Sequence, residues 1–184
     1  MSRSGLALFE TALGVCGIAW GQDGLLGVQL PEGEIGRTQT HLMRRFPELP
    51  FDEPSPEAME AMARLAAFLA GGADNLRDVG LDMGAVGAFD RNVYDEARAI
   101  PPGETITYGA LAARLGDPAQ ARAVGQALGR NPWPVIVPCH RVTAAEGKMG
   151  GFSAPGGTTT KLRLLEIEGA LAADRLPLFA QPEP

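Results

Sequence analysis

Proline and glycine cut residues 101–138 into short pieces, and this punctuation constrains the fold more than any other feature of the chain. Pro101-Pro102-Gly103 stops whatever precedes it. Thr107 is placed to cap a helix running through Leu115, and Gly116 closes that helix. Asp117 caps the next one, Pro118 occupies its first turn and Gly129 marks its end. Two short helices across a tight Gly116-Asp117 connection match a helix-turn-helix pattern, which purely structural helical hairpins share. Upstream, Phe89, Val93 and Ala97 fall at i, i+4 and i+8, so a helix is predicted over 89–99. Downstream, 158–169 is predicted as the last helix, with Leu162 and Leu165 apolar and Lys161, Arg163 and Glu166 polar.

The first half reads differently. Short apolar runs at 6–9, 15–20 and 25–30, the last two separated by Gly21-Gln22-Asp23-Gly24, predict a β-hairpin or meander. A short helix is expected around 38–46. Pro54-Ser55-Pro56-Glu57 then opens a stronger helix whose Met59, Met62, Leu65, Ala66 and Leu69 are spaced as a core-facing stripe, ended by Gly71-Gly72. The glycine-rich stretch 81–88 reads as a strand or connector, and the boundary between halves is placed near residue 88. The tail from Leu171 to Pro184 is expected to be flexible. No internal repeat is found.

Charge separates the halves further. Residues 1–88 carry 6 Lys and Arg against 12 Asp and Glu, whereas 89–169 carry 9 against 8. The overall −6 argues against strong non-specific nucleic-acid binding. A near-neutral second half still permits a local basic face. No run of about 18 apolar residues exists, and the N-terminus lacks a signal-peptide hydrophobic segment, so a cytoplasmic protein without membrane association is expected. Two cysteines make no disulfide framework and suit a reducing compartment. Cys16 and His41 are the only usual soft ligands of the first half, too few for a closed metal site; no metal and no cofactor are expected, and Cys16 is read as strand core.

One cysteine sits beside one of only two histidines in Pro138-Cys139-His140-Arg141-Val142. A free thiol is only a few per cent thiolate at pH 7, and the thiolate is the reactive form, so an adjacent histidine is a reason for reactivity to rise. The alternative is a buried structural cysteine next to a surface histidine. In the second helix of the pair, Val124 and Leu128 share one face. Arg122, about 200° around from Val124 at 100° per residue, points away from it. Its neighbours Ala121, Ala123 and Gly125 are small, so this helix could approach another surface closely; a plain solvent-exposed arginine is the alternative.

Tyr108-Gly109-Ala110-Leu111-Ala112, Ala121-Arg122-Ala123-Val124-Gly125, Asn131-Pro132 and Ile136-Val137-Pro138-Cys139-His140-Arg141-Val142 together closely resemble the O6-alkylguanine-DNA alkyltransferases, the methylated-DNA–protein-cysteine methyltransferase family. The likeness continues through Gly151-Phe152-Ser153 and from Lys161 to Gly169, covering roughly 88–169. The first half resembles only the family's variable N-terminal domain. The resemblance implies an α/β protein: a small ribonuclease-H-like strand-plus-helix domain over 1–88, then a mainly helical domain with a helix-turn-helix over 89–170.

It also implies a reaction, irreversible transfer of an alkyl group from O6 of guanine to Cys139, once per molecule. His140 would be the base and Glu168 its orienter. Adjacent side chains in an extended segment point to opposite faces, so a bridging water between His140 and Cys139 is expected. Tyr108 would donate to the departing guanine and Asn131 would tie the loop before the active-site strand. Main-chain groups at Val142 and Ser153 would line the guanine pocket, with Phe152 where many relatives have tyrosine. The partner would be double-stranded DNA containing O6-alkylguanine, with O4-alkylthymine a second candidate lesion, and the protein a monomer. By family analogy the second helix enters the minor groove through Ala121, Ala123 and Gly125, and Arg122 fills the stack left by an extruded base. Rival readings are a lesion-recognition module without transfer, a Cys-His hydrolase oriented by Asn131 or Glu168, and a helix-turn-helix regulator.

Overall fold

The computed structural model describes residues 4–170, so the tail expected from Leu171 onward lies outside the described residues. Three strands, β1 (Gly5–Thr11), β2 (Gly14–Trp20) and β3 (Leu25–Gln29), form an antiparallel meander in the order β1-β2-β3. Side chains alternate across this sheet. Cys16, Ile18 and Val28 face a large buried cluster on one side, and Cys16 is only 1% exposed, as its strand-core reading requires.

The other face is stripped of bulk. A Cβ at Gly17 would lie 2.8 Å from Leu42 Cδ2, and one at Gly27 would lie 2.6 Å from Phe46 Cζ. These two glycines let helix α1 (Ile35–Arg45) lie close against the sheet, with Leu6, Ala19 and Leu42 as a small second core.

Helix α2 (Pro56–Leu69) starts where the sequence signals it: Ser55 caps by accepting from Ala58 N–H, and Pro56 stands in the first turn. Its buried stripe is Ala58, Ala61, Leu65, Phe68 and Leu69. Met59, expected in that stripe, is 49% exposed. Leu65 and Leu69 of the expected stripe are buried and Met62 packs at its edge, while Ala58, Ala61 and Phe68 complete the inward face. The 81–88 stretch is a connector that touches the sheet once: Leu25 N–H donates to Gly80 O at 3.0 Å and Asp82 N–H to Leu25 O at 2.9 Å.

The second half is helical. Helix α3 (Ala88–Arg98) buries Val93, Tyr94 and Ala97. Two-residue strand β4 (Ile106–Thr107) leads into α4 (Tyr108–Arg114), capped by Thr107, and Gly116 takes the left-handed φ of +103° that ends it. Asp117 caps a 3₁₀ turn over Pro118–Gln120 that runs straight into α5 (Ala121–Gly129). Strand β5 (Val142–Thr143) pairs in parallel with β4, and α6 (Gly157–Ile167) closes the described chain. No described helix is long and apolar enough to cross a membrane.

The halves meet through one continuous buried cluster from Ala7 to Leu164. Trp133, 1% exposed, is part of it. Its indole N–H donates to Leu25 O at 2.7 Å, and its ring meets Tyr94 edge-on at 6.1 Å. Val28 N–H donates to Pro132 O at 2.9 Å. The segment before Cys139 is thus stitched to the first sheet.

Candidate active site

The chain between Asn131 and Val142 folds back on itself rather than running as a strand. Val137 N–H donates to Trp133 O at 2.9 Å, and Val135 adopts φ of +78°, a left-handed conformation that costs a β-branched residue about 1–3 kcal/mol. Cys139–Arg141 then forms a 3₁₀ turn, with Cys139 N–H bonded to Val137 O and Arg141 N–H to Pro138 O. The extended geometry expected from sequence is therefore replaced by a turn. Cys139, 8% exposed, lies at the edge of solvent, while His140 is fully buried behind it.

Asn131 holds the thiol. Its Oδ1 accepts from Trp133 N–H, and its Nδ2 donates to Val137 O at 2.9 Å and to Cys139 Sγ at 3.5 Å. Burial pushes the Cys139 thiol up from its ordinary pKa, opposed by that amide, by the nearby Lys161 charge and by backbone N–H groups. The Cys139 side chain therefore rests as a thiol, and adjacency to histidine alone does not ionise it.

Behind it, His140 Nε2 meets Glu168 Oε1 at 2.6 Å. Burial lowers the His140 pKa, opposed chiefly by Glu168, so the imidazole is neutral. Glu168 pulls the other way: burial favours its protonation, but hydrogen bonds from His140 and Arg141 and the Arg141 charge hold it at about 2. An ionised carboxylate can only accept, so the imidazole proton resides on Nε2. Nδ1 is left with a bare lone pair, buried and without a hydrogen-bond partner among the described residues. Arg141, 2% exposed, completes the cluster by donating to Glu168 through Nε and Nη2 and to Ile100 O through Nη1.

In front of the thiol lies a cavity of about 430 Å³ lined by Tyr108, Gly125, Leu128, Cys139, Phe152 and Ser153 among others. Burial raises the Tyr108 pKa, so the phenol keeps its proton and can donate; here it reaches Gly151 O at 3.4 Å. Gly150, at φ of +71°, is needed beside it, because a Cβ there would lie 3.0 Å from the Tyr108 ring. Val142 is fully buried and lies outside that lining; its carbonyl accepts from Lys161 Nζ at 2.6 Å.

The sequence predicts Lys161 simply as one of the polar residues of the last helix, and the structure buries it. It is completely buried, donating also to Met149 O at 2.8 Å, and burial pulls its pKa down to about 8. Lys161→Met should cost roughly 2–4 kcal/mol by stranding buried carbonyls, read as a lowered denaturant midpoint.

Outside this cavity, Tyr108, Ala121, Arg122, Gly125 and Gln126 line a shallower groove of about 600 Å³. Arg122 is exposed, with no hydrogen-bond or ion-pair partner among the described residues. Ala123 is partly buried and does not line the groove; Gly125 faces Tyr108, with 3.7 Å from a built Cβ to the ring.

Residues 88–170 match the family described as "6-O-methylguanine DNA methyltransferase, DNA binding domain". Over a longer stretch, the chain is 34% identical across 154 residues to a methylated-DNA–protein-cysteine methyltransferase of Methanothermobacter thermautotrophicus, spanning 83% of this chain and 78% of that one. The chain belongs to the methylated-DNA–protein-cysteine methyltransferase family. A relative of that name from Mycobacterium tuberculosis is 43% identical over 127 residues, covering 68% of this chain and 74% of its own. The mixed α/β fold matches a crystal structure of Mycobacterium tuberculosis OGT in complex with DNA, with TM-score 0.67, 34% identity and 94% of each chain covered. The O6-methylguanine-DNA methyltransferase of Pyrococcus kodakaraensis matches with TM-score 0.68 at 30% identity, over 91% of this chain and 99% of that one.

In this methyltransferase-family chain the fold brings Cys139, Asn131, Tyr108, Phe152 and Ser153 around the thiol, and His140 with Glu168 behind it. Sequence reasoning missed Arg141 and Lys161 as buried cations. The one available signal was that both lie in segments shared with the family, Arg141 directly beside the cysteine and histidine.

Proposed function

We propose that this chain repairs DNA by moving an alkyl group from O6 of guanine onto Cys139, irreversibly and once per molecule. The observation that carries the reading is the placement of one thiol between a neutral His140 hydrogen-bonded to the Glu168 carboxylate and a phenol, on the wall of a cavity beside the Arg122 groove. The thiol proton passes to His140 Nδ1 through a bridging water. Sulfur attacks the sp³ carbon, the S–C bond forms and the C–O6 bond breaks. The electron pair moves into the guanine ring, which takes a proton from the Tyr108 phenol, and the imidazolium proton is returned to the phenolate through solvent. Net, thiol hydrogen and alkyl group exchange places. A thioether offers no path back, which makes the protein a stoichiometric reagent.

A stacked base cannot reach this thiol, so the nucleotide is rotated out at a cost of a few kcal/mol. In this reading α4 and α5 act as a helix-turn-helix, and Arg122 occupies the vacated stack. Residues 1–88 form a ribonuclease-H-like domain and 89–170 the DNA-binding one, acting as a monomer in the cytoplasm. Mixing the protein with duplex DNA carrying O6-methylguanine should add one methyl mass, mapped to Cys139. Repeated turnover on a substrate other than DNA would favour a Cys-His hydrolase instead.

A further inference from the structure

The carbonyl of Pro132 is held from the opposite half of the molecule. It accepts from Val28 N–H at 2.9 Å and from Arg45 Nη2 at 3.0 Å. The guanidinium is itself fixed. Its Nη1 donates to Val28 O at 2.7 Å and to Gln29 Oε1 at 3.1 Å, and its carbon lies 5.2 Å from the centre of the Phe46 ring. Gln29 is tethered in turn by donating to Glu32 Oε1 at 3.0 Å, the oxygen that also meets His41 Nδ1 at 2.7 Å. Gly27 makes room: a Cβ there would come within 2.9 Å of Arg45 Nη2.

The residue next to Pro132 is Asn131, whose amide reaches the Cys139 sulfur. The Pro132 carbonyl belongs to the turn that fixes the direction of that amide, because Asn131 Oδ1 is committed to Trp133 N–H on the far side of the proline. We propose that Arg45 is a positioning residue for the nucleophile: by clamping the Pro132 carbonyl it aims the Asn131 amide at Cys139 Sγ, so the N-terminal half sets the reactivity of a thiol to which Arg45 makes no bond. The inference rests on Cys139 being the alkyl acceptor. It gives the sheet-and-α1 half a chemical task in addition to a structural one. A neutral donor aimed at sulfur favours the thiolate over the thiol, and its loss slows every reaction of that thiolate.

The test uses the full chain and two electrophiles, duplex DNA with O6-methylguanine and free iodoacetamide, with adducts mapped by peptide mass. Arg45→Met should slow capture of both at Cys139 by about tenfold, the worth of one hydrogen bond to a charged group. It should also shift the iodoacetamide pH profile to higher pH. Arg45→Lys should recover part of the rate, because an ammonium can still reach one carbonyl. In the Asn131→Ala background, Arg45→Met should add nothing, since both changes remove the same contact. Gly27→Ala, which displaces the guanidinium without deleting it, should reproduce the slowing. Wild-type rates and pH profile in folded Arg45→Met, or additive effects in the double variant, would overturn the proposal. Absence of methyl on Cys139 in the wild-type protein would instead overturn the proposed function, and the two failures are read in separate samples.

Discussion

Cys139→Ser should abolish alkyl transfer while leaving the protein folded and able to bind duplex DNA. The two side chains are nearly isosteric, and a serine hydroxyl can accept the Asn131 amide as the sulfur does. Reactivity does not survive the exchange. The hydroxyl is a far weaker acid than the thiol, and a hard oxygen is a poor nucleophile toward an sp³ carbon. The neutral His140 that drains a thiol proton is too weak a base to ionise a hydroxyl of far higher pKa. The loss should be at least ~10³-fold, the scale seen when a nucleophile is removed from a set of groups acting as a unit. DNA affinity by fluorescence anisotropy should stay within about twofold, because Arg122 and the α5 groove are untouched. Methyl transfer persisting in this variant, or methyl appearing on Cys16, would sink the mechanism. Cys16 is not a credible substitute: it is 1% exposed, and burial pushes its pKa up to about 11.

Glu168→Gln should damage stability and chemistry together. The carboxylate is the counter-ion of Arg141, and both side chains are almost wholly buried, at 1% and 2% exposed. Making it neutral leaves a buried guanidinium uncompensated. Breaking a buried pair from one side costs about 3–5 kcal/mol, and each kcal/mol moves Tm by about 2–4 °C at this size. The amide can also present its NH₂ to His140 Nε2, which would favour the tautomer with the proton on Nδ1 and remove the base. Transfer should therefore fall at temperatures where the variant is still folded. A variant that melts as wild type and transfers at the wild-type rate would show that Glu168 neither supports the core nor orients the histidine.

The same carboxylate sets a pH window. Its folded pKa, about 2, lies below the ordinary glutamate value of about 4.5, so the folded state holds its proton more weakly than the unfolded chain. The resulting stability is fully present above pH ~4.5 and is lost as pH falls toward 2. Glu168→Gln should flatten this part of the acid-unfolding curve.

Much of the architecture was legible because its signals are local. Ser55-Pro56, Thr107 with Gly116, and Asp117-Pro118 each specify a helix end through groups within four residues of one another. The meander followed from alternation and one turn. On α2 the predicted stripe holds at Leu65 and Leu69, with Met62 packed at its edge, and misses at Met59, since periodicity fixes spacing but not where the edge of the buried face falls. The close approach of α1 across Gly17 and Gly27 on the other sheet face is likewise a constraint visible only in three dimensions.

For the site, sequence alone determined which residue types could carry the chemistry: a single cysteine beside a histidine, a downstream glutamate, a tyrosine at a helix start and an asparagine before a proline. Only the tertiary structure decided their states. Whether Cys139 rests as a thiol, which imidazole nitrogen is bare, why Lys161 is buried and how Arg45 reaches Pro132 all depend on burial and on partners up to 87 positions away in sequence. Desolvation and long-range hydrogen bonds are properties of the packed interior, and no local pattern of residues encodes them.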